Sequence, residues 1–159
     1  MTLALAASRT SRIKLGMAVI TPRLRHVVAT AGSLATLCSL APGRVEAVIG
    51  SGFTAALMLG RKPAPWAVAS EYLVALRSLL AGDEISRDDA IIGLKHGSRT
   101  GIRFPAQVPL YVAAHGPRGF AVAADIGDGV VTYPSHTGGY PAGLRDVHVL
   151  YYDGVRCAA

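Results

Sequence analysis

Residues 108–131, VPLYVAAHGPRGFAVAADIGDGVV, constrain the fold more than any other stretch of this chain. An apolar run, Val108–Ala114, leads into a small-residue turn, His115–Gly116–Pro117. A helical stretch, Arg118–Ile126, follows, and a second apolar run, Gly129–Thr132, closes the unit. Strand, glycine turn, helix, strand is a βαβ unit, and a crossover of this length joins parallel strands. The turn aims backbone N–H groups at the end of a strand, where α/β proteins hold anionic ligands. Gly116 lets the backbone approach a ligand closely. Pro117 suits the first helical position, where no N–H is missed. A plain connection built from the same residues is the alternative to a phosphate site.

At 159 residues the chain is long enough for one domain with a real core. Hydrophobic residues make up 51% and charged residues 16%, the balance expected when parallel strands are buried on both faces. No uninterrupted apolar stretch approaches the roughly 18 residues that span a bilayer, so no membrane partner is expected. Cys38 and Cys157 lie far apart and suggest neither a disulfide framework nor metal spacing, which fits a reducing, cytoplasmic setting. The net charge is +6, and the first 45 residues hold Arg9, Arg12, Lys14, Arg23, Arg25 and Arg44 without one acid. A transit peptide has that composition, but Ile13–Ile20 already reads as a core strand. No basic run is interleaved with aromatics, so no nucleic-acid partner is expected. The excess charge reads as a solvated face, with a phosphate-bearing ligand as the second reading.

Elsewhere, residues 2–11 are Ala-rich and helix-compatible. Arg12–Ile20 and Arg44–Gly50 read as strands. His26–Leu40 has helical spacing and stops at Pro42–Gly43. Residues 51–65 form a Gly- and Pro-containing connection, in which Gly60, Pro63 and Pro65 within 57–65 leave little room for the helix that a dinucleotide motif requires. The clearest helix is Trp66–Ala81, with Trp66, Ala69, Leu73, Leu76 and Leu80 on one face, Glu71 and Arg77 toward water, and Gly82 as its stop. Residues 83–107 read as an inserted loop or a short hairpin around Asp88–Asp89. Residues 1–133 are thus one domain and 134–159 an irregular tail, in which Val147–Tyr152 is a candidate last strand. Alternating strands and helices predict a parallel sheet or barrel with right-handed crossovers.

Three features bear on chemistry. Gly50–Ala55, GSGFTA, matches the dinucleotide fingerprint G-x-G-x-x-A after a strand. That motif also needs an acid about 20 positions on, at the end of the next strand. Glu71 has the spacing but lies inside the helix 66–81, so dinucleotide binding is disfavoured. The histidines (His26, His96, His115, His136, His148) show no metal-ligand pairing, and no metal is expected. His26 reads as a helix starter, and His115, in the glycine turn, is the one candidate for chemistry. Ser135, His136 and Asp125 form no triad, and Asp83, Glu84, Asp88 and Asp89 read as a solvated loop.

Four segments in order, SRIKLGMAVITPRLRHVVATAGSLATL, APGRVEAVIGSG, EYLVALRSLLAG and the 108–131 unit, resemble the luciferase-like monooxygenases, flavin- or deazaflavin-dependent oxidoreductases. The resemblance covers most of residues 5–131, whereas 83–107 and 134–159 match poorly. It implies a partial TIM (β/α)8-type barrel, about strands three to six, with its ligand at the C-terminal strand ends. Ile13–Ile20 then corresponds to the third barrel strand, whose end in the family carries a bulge with a non-prolyl cis peptide behind the flavin ring. Ala18 and Val19 occupy that place, with Thr21 just beyond. Gly50, Ser51 and Gly52 correspond to the next ligand-facing strand end, and Ala114, His115, Gly116 and Pro117 to the cofactor phosphate loop. A whole barrel needs about 250 residues. This chain corresponds to the stretch from the second helix to the sixth strand, so the first two and last two strands have no counterpart. Acid/base groups commonly come from those first strands, and the catalytic residues remain unknown. The resemblance implies FMN or a deazaflavin as cofactor, a small-molecule substrate, and weak or no activity for the fragment alone. The alternative is a non-catalytic half-barrel that pairs with itself, as a homo-oligomer, or with a complementing chain.

Overall fold

The computed structural model describes residues 2–87, 89–94, 101–133 and 147–149. In chain order these form α1 (Thr2–Arg9), β1 (Leu15–Ile20), α2 (Val27–Leu40), β2 (Val45–Ile49), α3 (Phe53–Met58), α4 (Trp66–Ala81), β3 (Ile85–Arg87), β4 (Ala90–Ile92), β5 (Leu110–Ala113), α5 (Pro117–Ile126), β6 (Gly129–Thr132) and β7 (Val147–Val149). β1, β2, β5, β6 and β7 form one parallel sheet in that order. Strand order therefore follows chain order, as in an arc of a barrel, and lacks the reversal point at which doubly wound sheets hold dinucleotides.

α1, α2, α4 and α5 pack against one another in sequence. Between them and the sheet lies one apolar core, with Leu15, Val45, Ile49, Leu110, Val112 and Val130 from the strands facing Leu34, Leu73, Leu76 and Leu79 from the helices. Fully burying each such side chain is worth about 1.5–3 kcal/mol. The other face of the sheet carries Gly16, Glu46, Val48, Tyr111 and Val131, the alternate positions of the strands.

Most elements lie where the sequence puts them. Helix 66–81 matches residue for residue, and Gly82, at φ 96°, adopts the left-handed turn that ends it. His26 caps α2 by accepting a 3.3 Å hydrogen bond from the Val28 amide on Nδ1. The hairpin around residue 89 forms, with β3 and β4 antiparallel and outside the main sheet.

Other elements differ. β1 begins at Leu15 instead of Arg12; Ile13 is exposed, and its carbonyl accepts a hydrogen bond from Arg44, which also bonds the Ala7 carbonyl and the Thr10 hydroxyl and so ties down α1. The connection 51–65 does contain a helix, the six-residue α3, because Gly60, Pro63 and Pro65 all follow its last turn. The candidate last strand does form, over Val147–Val149, and it pairs parallel with β6 as a fifth strand of the sheet. The remainder of the tail, His96, Ser135, His136 and Asp88 lie outside the described residues. No helix among the described residues is long and apolar enough to cross a membrane.

Two polar devices fix the layers. Asp128, just before β6, accepts from the Leu110 amide at 2.7 Å and from Arg77 at 3.1 Å, and Arg77 also bonds the Ile126 carbonyl. This latch joins α4 to the entry points of β5 and β6, the end of the sheet opposite the expected site. Between α2 and α4, buried Thr30 and Tyr72 share a 2.6 Å hydrogen bond. Tyr72 lies on the buried side of α4 beside Leu73, a place the apolar spacing alone did not mark. Replacing either partner strands the other without water. Tyr72→Phe and Thr30→Val should each lower unfolding free energy by about 1–3 kcal/mol, and the double variant by less than the sum. Urea denaturation of the four proteins checks this.

Candidate functional site

The C-terminal ends of the parallel strands form one rim, and the residues named through the family resemblance, at 18–21, 50–52 and 114–117, follow the ends of β1, β2 and β5. At the end of β1 the pairing with β2 slips between Met17 and Ile20, and the Ala18–Val19 peptide is cis, where the resemblance implies one. Val19 is half exposed and Thr21 buried. The Gly50 amide donates to the Ile20 carbonyl at 3.0 Å. A Cβ on Gly50 would lie 2.9 Å from Val19 Cγ1 and 3.2 Å from the Ala113 side chain, so glycine lets these three strand ends meet without displacing Val19. Gly52, at φ 77°, starts α3, and a Cβ there would stand 2.6 Å from Thr21 Cγ2. The Ser51 carbonyl accepts the Ala64 amide at 2.9 Å, which folds the 51–64 loop back on itself.

Next to this cluster, β5 runs into the glycine turn. Ala114 is buried, and its amide donates to the Val131 carbonyl at 3.1 Å. Gly116 caps α5 in an extended conformation, with open space where a Cβ would stand, and Pro117 is the first helical residue. The helix can start this close to α4 because residue 119 is also glycine: a Cβ there would fall 2.5 Å from Trp66 and 2.7 Å from Ala114. Trp66, Gly116, Pro117, Arg118 and Gly119 line a hollow of about 330 Å³ at the helix start. Larger hollows, of about 450 and 670 Å³, lie at the opposite end beside Arg77 and Asp128, and between α4, β3 and α5. Neither touches the C-terminal ends of the main sheet's strands.

The structure thus brings Val19, Thr21, Gly50 and Gly52 into direct apposition, and joins β5 to them through Ala113. Sequence reasoning missed the end of β6. There Tyr133 stacks on His115, with ring centroids 4.7 Å apart and planes 22° from parallel, and Thr132 Oγ1 lies 3.4 Å from His115 Nδ1. The aromatic ring directly after an apolar strand was the available signal. Partial burial, with Tyr133 over one ring face, pulls the His115 pKa below its ordinary 6.5. Chemically, the rim offers a floor of small residues, one imidazole and the Arg118 and Gly119 amides in the first turn of α5. Those amides and the helix dipole favour a negative group. Among the described residues, no group of three or more metal-ligating side chains assembles.

The chain as a whole is similar to known proteins. A family model described as luciferase-like monooxygenase matches residues 1–148. The chain is 30% identical over 151 residues to a 5,10-methylenetetrahydromethanopterin reductase of Methanolobus tindarius, covering 92% of this chain and 45% of that protein. It is 35% identical over 136 residues to an F420-dependent glucose-6-phosphate dehydrogenase of Beutenbergia cavernae, covering 79% and 39%. Among solved structures, the coenzyme F420 dependent tetrahydromethanopterin reductase from Methanopyrus kandleri superposes with a TM-score of 0.64 at 26% identity, over 82% of this chain and 43% of its own. The monooxygenase RslO1 from Streptomyces bottropensis gives 0.66 at 26% identity, over 85% and 43%. The chain spans less than half the length of each of these relatives. With the family model matching residues 1–148, the chain belongs to the luciferase-like monooxygenase family.

Proposed function

We propose that this chain carries the cofactor-holding rim of an oxidoreductase that uses a deazaflavin of the F420 type, or FMN. The observation that carries the proposal is the meeting of Val19, Gly50 and Ala113 beside a helix start whose turn residue, Gly116, faces open space. A flat ring needs a floor without protruding side chains, and a phosphate needs amide donors nearby; both are present on one rim. Ala18, Val19 and Thr21 would back the ring, with Gly50, Ser51 and Gly52 at its edge. Ala114, His115, Gly116 and Pro117 would form the phosphate loop, with the Arg118 and Gly119 amides as donors. The bound ring would supply two-electron transfer with a small-molecule substrate, as a hydride for a deazaflavin or through dioxygen activation for reduced FMN. The names of the F420-dependent relatives favour the deazaflavin. The chain's own residues bind, orient and exclude water; no general acid or base is assigned.

Titrating the full chain with F420 and with FMN, followed by the fluorescence of each cofactor, should give saturable binding of at least one. No binding of either would overturn the proposal. Gly116→Asp separates site from scaffold: it supplies a preferred helix cap in a backbone conformation open to any residue. Its carboxylate would repel a phosphate, so cofactor affinity should fall about tenfold or more while thermal stability holds or rises. In an NMR titration His115 should protonate below pH 6.5, because burial disfavours the imidazolium. Tyr133→Ala, by uncovering one ring face, should bring the midpoint back up.

The open sheet favours a second reading. Among the described residues, β1 and β7 each pair on one side only. Unpaired edges invite another strand, so this chain would be weakly active alone and would close its sheet against a second copy or a complementing chain. Size-exclusion chromatography should then show a species larger than one chain at micromolar concentration. A monomer across the whole concentration range would remove that reading.

A further inference from the structure

His115 stands in the glycine turn of the proposed phosphate loop, and the end of β6 holds it from two sides. Tyr133 covers one face of the ring, and Thr132 Oγ1 lies 3.4 Å from Nδ1. The same Thr132 hydroxyl also lies 3.4 Å from the Tyr133 carbonyl oxygen. Thr132 is only 2% exposed, so water does not take the place of either partner. A hydroxyl has one proton and can also accept, whereas a carbonyl oxygen only accepts. Two arrangements therefore exist without moving a heavy atom. With a neutral ring protonated on Nε2, Thr132 donates to Nδ1. With a charged ring, Nδ1–H donates to Thr132, and the Thr132 proton turns to the Tyr133 carbonyl. The two contacts are equal in length, so the hydroxyl serves either state.

The surroundings leave the choice between these states to a bound ligand. On and beside β5, α5 and β6, the described titratable or charged side chains are Tyr111, Arg118, Asp125, Asp128 and Tyr133. Asp125 lies at the far end of α5 and Asp128 at the entry of β6, which leaves Arg118 and Tyr133 at the rim. Burial alone accounts for the lowered pKa of His115. Three residues of chain reach no more than about 10 Å, so His115 and the Arg118 amide lie within one Debye length at about 0.1 M salt. We infer that His115 is a proton-linked anion sensor, with Thr132 as its positioning residue: anion uptake at the start of α5 and protonation of His115 favour one another. The inference deepens the proposed function and rests on it only for the identity of that anion as the cofactor phosphate. Linkage gives the sign. A bound anion favours the imidazolium, so affinity rises as pH falls through the His115 midpoint, which lies below 6.5 in the free chain. The cofactor is held more tightly in acid and released more readily toward neutral pH.

Sulfate is the probe, because it stays a dianion throughout the titration range of histidine. NMR of the His115 ring in the full chain is the measurement. Against chloride at equal ionic strength, saturating sulfate should raise the His115 midpoint by about one unit, which corresponds to roughly tenfold tighter sulfate binding by the protonated chain. His115→Gln should remove the pH dependence of sulfate affinity. Thr132→Val should lower the midpoint and shrink the rise that sulfate causes, whereas Thr132→Ser should restore both. Thermal melts verify that the variants fold. A midpoint unmoved by sulfate, a pH-dependent affinity kept by His115→Gln, or a Thr132→Val chain titrating like the parent would each overturn the inference. Titrating F420 and FMN in the same buffer separates the two proposals. Uptake of either with an unmoved midpoint overturns this inference alone. A midpoint raised by sulfate without uptake of either supports the sensor and overturns the oxidoreductase reading.

Discussion

The approach of three strand ends around Gly50 is the constraint on which the site depends. Parallel strands of a barrel splay and tilt, and side chains at their ends normally fill the mouth. Here residue 50 contributes none, and the neighbouring positions contribute Val19 and Ala113, whose side chains come within 2.9 and 3.2 Å of where a Cβ on residue 50 would stand. The strand ends therefore meet closely. Glycine at 52 and 119 repeats the device at two further approaches, one between the first two rim loops and one between α4 and the start of α5. Each absent side chain brings two backbone segments together, and each lies at the functional end of the sheet.

Much of this was legible because local chemistry and tertiary demand agree. Trp66–Ala81 announces itself through apolar spacing and a glycine stop, and the helix obeys both. The glycine turn at 115–117 reads the same way in isolation and in the fold, since proline at the first helical position costs no hydrogen bond. The fingerprint-like GSGFTA shows where local pattern misleads. The glycines are required, but by packing on Thr21 and Val19, and strand order that follows chain order leaves no place for a dinucleotide crevice.

What was hidden depends on partners distant in sequence. Tyr72 looks like one more residue of a helix until Thr30, 42 positions away, completes its hydrogen bond. The stacking of His115 on Tyr133 needs β5 and β6 side by side before it exists. α3 escaped notice because six residues carry too little periodicity to register, and its apolar side chains face outward instead of into a core.

The Asp128 latch lies at the other end of the sheet from all of this. One carboxylate there satisfies the first amide of β5 and the arginine of α4, so the entry points of two strands and the flank of a helix share one tether. Barrel architectures commonly separate a stabilising base from a variable mouth. In this chain that separation gives the mouth latitude to drift. Residues of the glycine turn and of α3 can be exchanged by successive mutations with little penalty to folding, and new ligand preferences can arise on a foundation that does not register the change.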